Sequence, residues 1–182
     1  FGAEMVGLAH RELIDTERSR WPLIASSCPV VVSLIEKYYP DLISHLAPVV
    51  SPMIAHGRWL RERYGADALL VFIGPCIAKK AELCERAVGD VIDAGLTFSE
   101  LEEWMAEAGV EMPRREAEAA PSPRAPARLF PVEGGLVGTA NLDTDILTSH
   151  TITTSGLEAC QDVLRGIQAG KLAACLVELM AC

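Results

Sequence analysis

Residues 68–74 (ALLVFIG) form an unbroken apolar run. A strand with one wet face alternates apolar and polar side chains, whereas an unbroken run is expected of a strand covered on both faces, as in a parallel sheet. Parallel neighbours cannot be joined by a hairpin and need a crossover, usually a helix. The run stops at Gly74-Pro75, and residues 78–87 then read as a helix. The same alternation recurs along the chain. Residues 21–26 (WPLIAS) are a short strand before a helix with Pro29 in its first turn. Residues 53–65 are a helix closed by Gly65, and residues 91–109 a short strand followed by a helix capped at Thr97 or Ser99. Residues 150–155 are a β-branched strand, 156–169 a helix and 175–182 a last apolar strand. An opening helix over residues 4–18 carries a rough stripe of Met5, Leu8 and Leu13. Strands alternating with helices predict an α/β fold with a largely parallel sheet.

Half of the 182 residues are apolar, enough for one sizeable domain with its own core and too many for a disordered or fibrous chain. The formal charge is −9 and the 16 basic residues are scattered, which argues against nucleic acid or an anionic membrane as partner. No apolar run approaches the ~20 residues that span a bilayer. No signal peptide is apparent, so a cytoplasmic location is expected. The chain begins at Phe1 and stops at Cys182 directly after an apolar run, so both ends are expected to be cut. Residues 111–128, rich in Pro, Ala and charge with little to bury, are expected to form a mobile surface excursion.

Six cysteines without a secretory signal point away from disulfide staples. Cys28, Cys76 and Cys182 each follow the C-terminal end of a predicted strand. Those ends line the ligand crevice of an open parallel sheet. Two of the three precede a helix, whose N-terminal N–H groups favour thiolate. Taken alone, each reads more readily as a small core residue than as a ligand. Three in the same kind of place suggest a metal cluster, although their spacing is unlike that of ferredoxins. Cys84 in mid-helix, Cys160 in its helix and Cys175 at the head of the last strand read as buried structural thiols.

The segments SSCPVVVSLIEKYYPDLISHLAPVVSPM, FIGPCIAKK, GLTFSELEEWM, EGGLVG and LVELMAC follow one another in the order found in the catalytic domain of iron-only (FeFe) hydrogenases, which the chain resembles over nearly its whole length. The resemblance implies two lobes with largely parallel sheets flanked by helices, the cofactor site lying between them. The cofactor would be the H-cluster, a 4Fe-4S cubane joined to a two-iron unit bearing CO and cyanide. Cys28, Cys76 and Cys182 match its ligands in the motifs T-S-C-C-P, P-C-x-x-K and M-A-C-x-G-G-C. Lys79 matches the lysine beside the anionic two-iron unit, where a fixed ammonium makes electrostatic sense. Pro75, Met53, Met180, Gly134 and Gly135 fall where the family lines its pocket. Gly134 and Gly135 are read as a close backbone approach to the cofactor or to the neighbouring lobe. The implied partners are hydrogen and protons, a ferredoxin-type electron carrier, or fused ferredoxin and signalling domains.

The chain also departs from the family. Ser27 stands where productive enzymes carry a proton-relaying cysteine, and a hydroxyl is a poor group for repeated transfer near neutral pH. Gly74 replaces a methionine, and Met53 a polar glutamine. The third motif is entered only as far as Cys182, so the fourth ligand is missing and the site incomplete. These departures imply slow turnover, or a sensory member reporting hydrogen or redox state. Two rivals remain: an iron–sulfur assembly-type scaffold holding a 4Fe-4S cluster without the two-iron unit, and a thiol enzyme using Cys76 with Lys79 as activating cation. His10, His45, His56 and His150 are expected to be surface or satisfied imidazoles. Asp143 and Asp145 are expected to be solvated, as is the acidic face of Glu100, Glu102, Glu103 and Glu107.

Overall fold

The computed structural model describes residues 1–85, 88–111, 126–142 and 150–182. The expected excursion falls mostly on residues 112–125, outside the described residues, as do Asp143 and Asp145. Residues 126–128, assigned to the excursion, belong instead to a 3-10 turn, Pro126–Leu129. The chain divides into two compact units, Phe1–His56 with Ala125–Cys182, and Gly57–Arg124.

The first unit is built on a parallel sheet of three strands. β5 (Leu176–Met180) lies between β1 (Leu23–Ile24) and β4 (Thr151–Ser155). Leu23 is in register with Leu176, and Thr151 through Ser155 run beside Leu176 through Met180. Both faces are covered, as a parallel sheet requires. Against one face lie α2 (Pro29–Tyr38) and α7 (Leu157–Gln168), whose Val31, Leu34, Ile35, Cys160, Leu164 and Ile167 form a core with Val177 and Leu179. Against the other lie α1 (Gly2–Thr16) and α6 (Gly135–Thr139), which bury Val6, Ile14, Leu136 and Val137 with Leu23 and Leu176. The period-2 alternation of β5 sends Val177 and Leu179 to one core and Leu176 to the other.

α1 buries Val6, His10 and Ile14 rather than the predicted stripe; Met5 and Leu8 are exposed. Gly7 accounts for the choice of face. A Cβ there would stand 3.1 Å from Thr139 and 3.2 Å from Ala140, so the glycine lets α1 close on α6. His10 is fully buried: Nδ1 donates to the Val6 carbonyl at 2.8 Å, while Nε2 has no partner among the described residues. It is neither a surface nor a fully satisfied imidazole, and burial pushes its pKa down.

In the second unit β2 (Val71–Ile73) pairs in parallel with β3 (Ala94–Leu96). Predicted to be buried on both faces, β2 instead leaves Val71 and Ile73 exposed, with Phe72 half-buried. Among the described residues β3 is its only strand partner. An arginine clip holds the pair. Arg61, on α3 (Pro52–Tyr64), donates to the Val91, Ala66 and Ala68 carbonyls and at 2.7 Å to Asp93 Oδ2, which also accepts the Leu70 N–H. α4 (Ile77–Glu82) ends earlier than predicted, which leaves Cys84 exposed beyond it rather than buried in mid-helix. α5 (Phe98–Glu107) starts at Thr97 in a full capping box: Thr97 Oγ1 accepts the Glu100 N–H, and Glu100 accepts the Thr97 N–H. Glu100 also bonds Lys80 at 2.5 Å, so it is no merely solvated face residue.

Candidate functional site

Cys28 and Cys76 are built alike. Each is the residue before a helix, α2 or α4, with backbone angles φ −97°, ψ 110° and φ −91°, ψ 108°. Position and conformation are those of an N-cap, yet neither thiol bonds a helix N–H. Ser, Thr, Asp or Asn would cap better by about 1 kcal/mol. Cysteine at both places leaves two half-buried sulfurs at strand ends, uncommitted to capping.

In the first unit, β5 leads through half-buried Met180 to exposed Cys182. Cys160 sits on α7, fully buried, its Sγ donating to the Met180 carbonyl at 3.4 Å. Burial pushes the Cys160 thiol up, and the sulfurs of Cys28 and Cys182 push it the same way. The hydrogen bond to the Met180 carbonyl pulls it down. Cys160 and Cys175 are buried, as expected. Ser27, directly before Cys28, is half-buried. The loop after β1 runs back beside it: Ile24 bridges Leu46, and Ser26 Oγ donates to the Val49 carbonyl at 2.5 Å. Ser51 and Met53, which follow, are both buried, and Ser51 Oγ has no hydrogen-bond partner among the described residues.

Gly134 and Gly135 open α6. Gly134 has φ +76°, where glycine is favoured. Gly135 is buried, and a Cβ on it would stand 2.0 Å from the Leu129 carbonyl oxygen. Its close backbone approach is thus to Leu129 within the same unit, a neighbour the sequence reading did not name. Glu178 was missed altogether. Only 4% exposed on β5, it accepts the Leu136 N–H at 3.1 Å and the Val137 N–H at 3.2 Å, one on each oxygen. Burial holds its pKa above the ordinary range; the two N–H bonds pull it down, and Glu133 adds to the rise. A lone glutamate inside the apolar run 176–180 was the available signal.

The second unit carries Pro75, Cys76 and Lys79. Lys79 is not a solvated helix lysine: its Nζ lies 2.8 Å from Glu82 Oε2, with only 14% and 13% of the two side chains exposed. Gly74 is buried, and a Cβ there would stand 2.7 Å from the Phe72 ring, so Phe72 fills the space any larger residue would need. Ser27, Cys28, Met53, Gly134, Gly135, Met180 and Cys182 belong to the first unit.

Among the described residues no three His, Cys, Asp or Glu side chains stand together as a metal site. The first unit nonetheless offers uncommitted sulfur at Cys28 and Cys182 and a buried hydroxyl without a partner at Ser51. Thiolates are the donors that iron–sulfur clusters use. An unsatisfied buried hydroxyl suits a polar group bound beside it. These residues fit an iron–sulfur cofactor. Among the described residues no helix is long and apolar enough to cross a membrane.

The chain is 36% identical over 111 residues to a periplasmic iron hydrogenase large subunit of Nitratidesulfovibrio vulgaris, a match covering 53% of this chain and 26% of the relative. It is 31% identical over 137 residues to iron hydrogenase 1 of Clostridium pasteurianum, covering 67% of this chain and 24% of the relative. The chain therefore spans about a quarter of the length of these relatives. The fold matches the FeFe-hydrogenase HydA1 of Chlamydomonas reinhardtii with a TM-score of 0.69 at 20% identity, over 100% of this chain and 66% of that one. The family model for the iron-only hydrogenase large subunit, C-terminal domain, matches residues 1–182. The chain belongs to the iron-only hydrogenase large-subunit family.

Proposed function

We propose that this domain binds an H-cluster, with Cys28, Cys76 and Cys182 as thiolate ligands, and serves hydrogen sensing or slow hydrogen conversion. The observation that carries the reading is the matched placement of Cys28 and Cys76, two helix-start thiols that do no capping. When bound, the cluster supplies the electron and proton chemistry that interconverts hydrogen with protons and electrons. Lys79, held by Glu82 and largely withdrawn from water, would present a fixed ammonium to the anionic two-iron unit. The buried Ser51 hydroxyl and the Met53 and Met180 side chains would line the pocket and exclude water. In the first unit the Gly134–Gly135 turn, and in the second Pro75, would offer backbone to the cofactor.

Ser27 decides the rate. A thiol in this position exchanges a proton near neutral pH, whereas a serine hydroxyl holds its proton far more tightly. A domain built this way passes protons slowly. Slow passage is compatible with a sensor, because binding need only shift a population. The electron partner would be a ferredoxin-type carrier or a fused cluster domain, and the compartment cytoplasmic. A cubane-only scaffold is less well supported, since it leaves the half-buried Lys79–Glu82 pair without a task. A thiol enzyme using Cys76 leaves Cys28 unexplained.

The test is infrared spectroscopy on the protein carrying this domain, reconstituted without oxygen with iron, sulfide and a synthetic two-iron precursor. CO and cyanide stretching bands that survive desalting, shift under hydrogen and disappear in Cys28→Ala would support the reading. Cubane absorption without those bands, or neither signal, would overturn it.

A further inference from the structure

We propose that Glu178 is a positioning residue that locks the Gly134–Gly135 turn to the strand leading to Cys182; the inference rests on the H-cluster reading above.

A glutamate inside a strand of otherwise apolar residues needs a reason. Burying a carboxylate is unfavourable unless hydrogen bonds replace its water, and a leucine would fill the same space at no such cost. Here each oxygen receives one backbone N–H, from Leu136 and from Val137. Both N–H groups lie in the first turn of α6, where no helical carbonyl is available to them. The carboxylate thus joins β5 to the two residues directly after Gly135.

A second tether acts on the other side of the turn. Ser155, the last residue of β4, donates from Oγ to Glu133 Oε2 at 2.5 Å. Ser155 is the register partner of Met180. The turn is therefore fastened before Gly134 through Ser155 and after Gly135 through Glu178, at two points flanking Met180 on the sheet. From within, the Gly135 N–H donates to the Val132 carbonyl at 2.8 Å, and the Leu129 carbonyl stands against the Gly135 Cα. Gly134 adopts the left-handed conformation that lets the chain make this approach. The two segments the resemblance assigns to the pocket in this unit, the double glycine and the Met180–Cys182 segment, thus move as one body. A turn so held keeps its backbone dipoles in a fixed direction, and fixed dipoles are worth more to a bound group than mobile ones.

The test uses Glu178→Gln, which keeps shape but offers a single acceptor oxygen, so one of the two N–H groups loses its partner. Glu158→Gln, an exposed site on α7, is the control. Two readouts are needed. Amide hydrogen exchange on the cofactor-free chain should show Leu136 or Val137 opening about 10-fold faster in Glu178→Gln, with α7 unchanged. Infrared spectra of the reconstituted protein should show displaced or broadened CO and cyanide bands in Glu178→Gln but not in Glu158→Gln. Unchanged exchange at both amides would overturn the clamp. Bands in wild type that keep their positions in Glu178→Gln would overturn the positioning role while leaving the H-cluster reading intact. Absence of bands in wild type would overturn the H-cluster reading, and with it the positioning role. If Glu178→Gln does not fold, Glu178→Asp keeps the charge but is one methylene too short to reach both N–H groups, and the same outcomes apply.

Discussion

Gly134, Gly135 and Gly138 lie within five residues of one another and face three different surroundings, so alanine at each should give three different results. At Gly135 a Cβ would stand 2.0 Å from the Leu129 carbonyl oxygen and 2.7 Å from Phe130 Cα. Ordinary contact needs more than about 3 Å, so the backbone would have to part by about 1 Å. No flexible side chain can give way, because both opposing groups are main chain and the Leu129 carbonyl also accepts the Val132 N–H. A forced fit against backbone is expected to destabilise by about 3 kcal/mol. Gly134 has φ +76° but nothing within 4 Å. Alanine there bears only the left-handed conformation, about 1–2 kcal/mol, partly offset by a stiffer unfolded chain. At Gly138 nothing lies within 4 Å and the backbone is helical, so alanine should stabilise by as much as about 0.8 kcal/mol. In urea unfolding followed by circular dichroism, with a slope of about 2 kcal/mol per molar, the midpoint should fall by about 1.5 M for Gly135→Ala and about 0.5 M for Gly134→Ala. It should rise slightly for Gly138→Ala. If Gly135→Ala proves no worse than Gly134→Ala, the Leu129 contact is not rigid. The need for glycine at position 135 would then lie with a bound group and not with the packing of the unit itself.

Two further outcomes test the site and the second unit. Cys76→Ser should keep or gain stability, by up to about 1 kcal/mol, because serine caps where cysteine does not, and in Cys28→Ser the same gain should be offset by lost packing on the core. The same variants should lose iron after anaerobic loading, measured as iron per chain; a loss of stability with iron retained would refute the ligand assignment. Glu100 has its pKa lowered to about 2, first by the Lys80 ammonium and then by the Thr97 N–H and hydroxyl. A depressed folded pKa makes this stabilisation present above the ordinary glutamate range and lost as pH falls towards 2. Acid unfolding of wild type should therefore include this loss and that of Glu100→Gln should not, with a carboxyl carbon NMR titration of Glu100 as the direct check.

The strand–cysteine–helix units were legible because their signals are local. Proline at the first helical position, an apolar run ending in Gly-Pro, and Thr97 three residues before Glu100 each specify a boundary without help from distant residues. Contacts between distant segments were not legible. The buried face of α1 turns on Gly7 meeting Thr139 and Ala140, more than 130 positions away, and includes a histidine that no apolar stripe would contain. The Arg61–Asp93 clip spans 32 residues and looks in sequence like two ordinary surface charges. Glu178 could have been found, since a carboxylate in an apolar strand is a conflict that folding must resolve, but its partners are main-chain N–H groups 41 and 42 residues away. The openness of β2 was hidden for another reason. An apolar run states what a strand can tolerate on its faces, and the neighbours that cover them are named elsewhere.

The choice of cysteine at positions 28 and 76 is the firmest link between fold and chemistry. A residue kept for local stability at a helix start should cap it, and a residue kept for packing should be buried like Cys160 or Cys175. Neither Cys28 nor Cys76 caps its helix and neither is fully buried, although Cys28 packs against the core of the first unit; their backbone angles agree within a few degrees in two separate units of the chain. Local energetics would favour serine at both, by an amount comparable to a hydrogen bond. Sulfur is what serine lacks; at Cys28 it also packs against the core, and beyond that it matters to a partner that binds sulfur. At the adjacent position the resemblance implies a proton-relaying thiol, and the chain has the hydroxyl of Ser27. Under the proposed function, the chain has sulfur where a ligand would be held and a hydroxyl where a proton would be passed. Within that proposal, the pairing is what binding with reduced turnover would require.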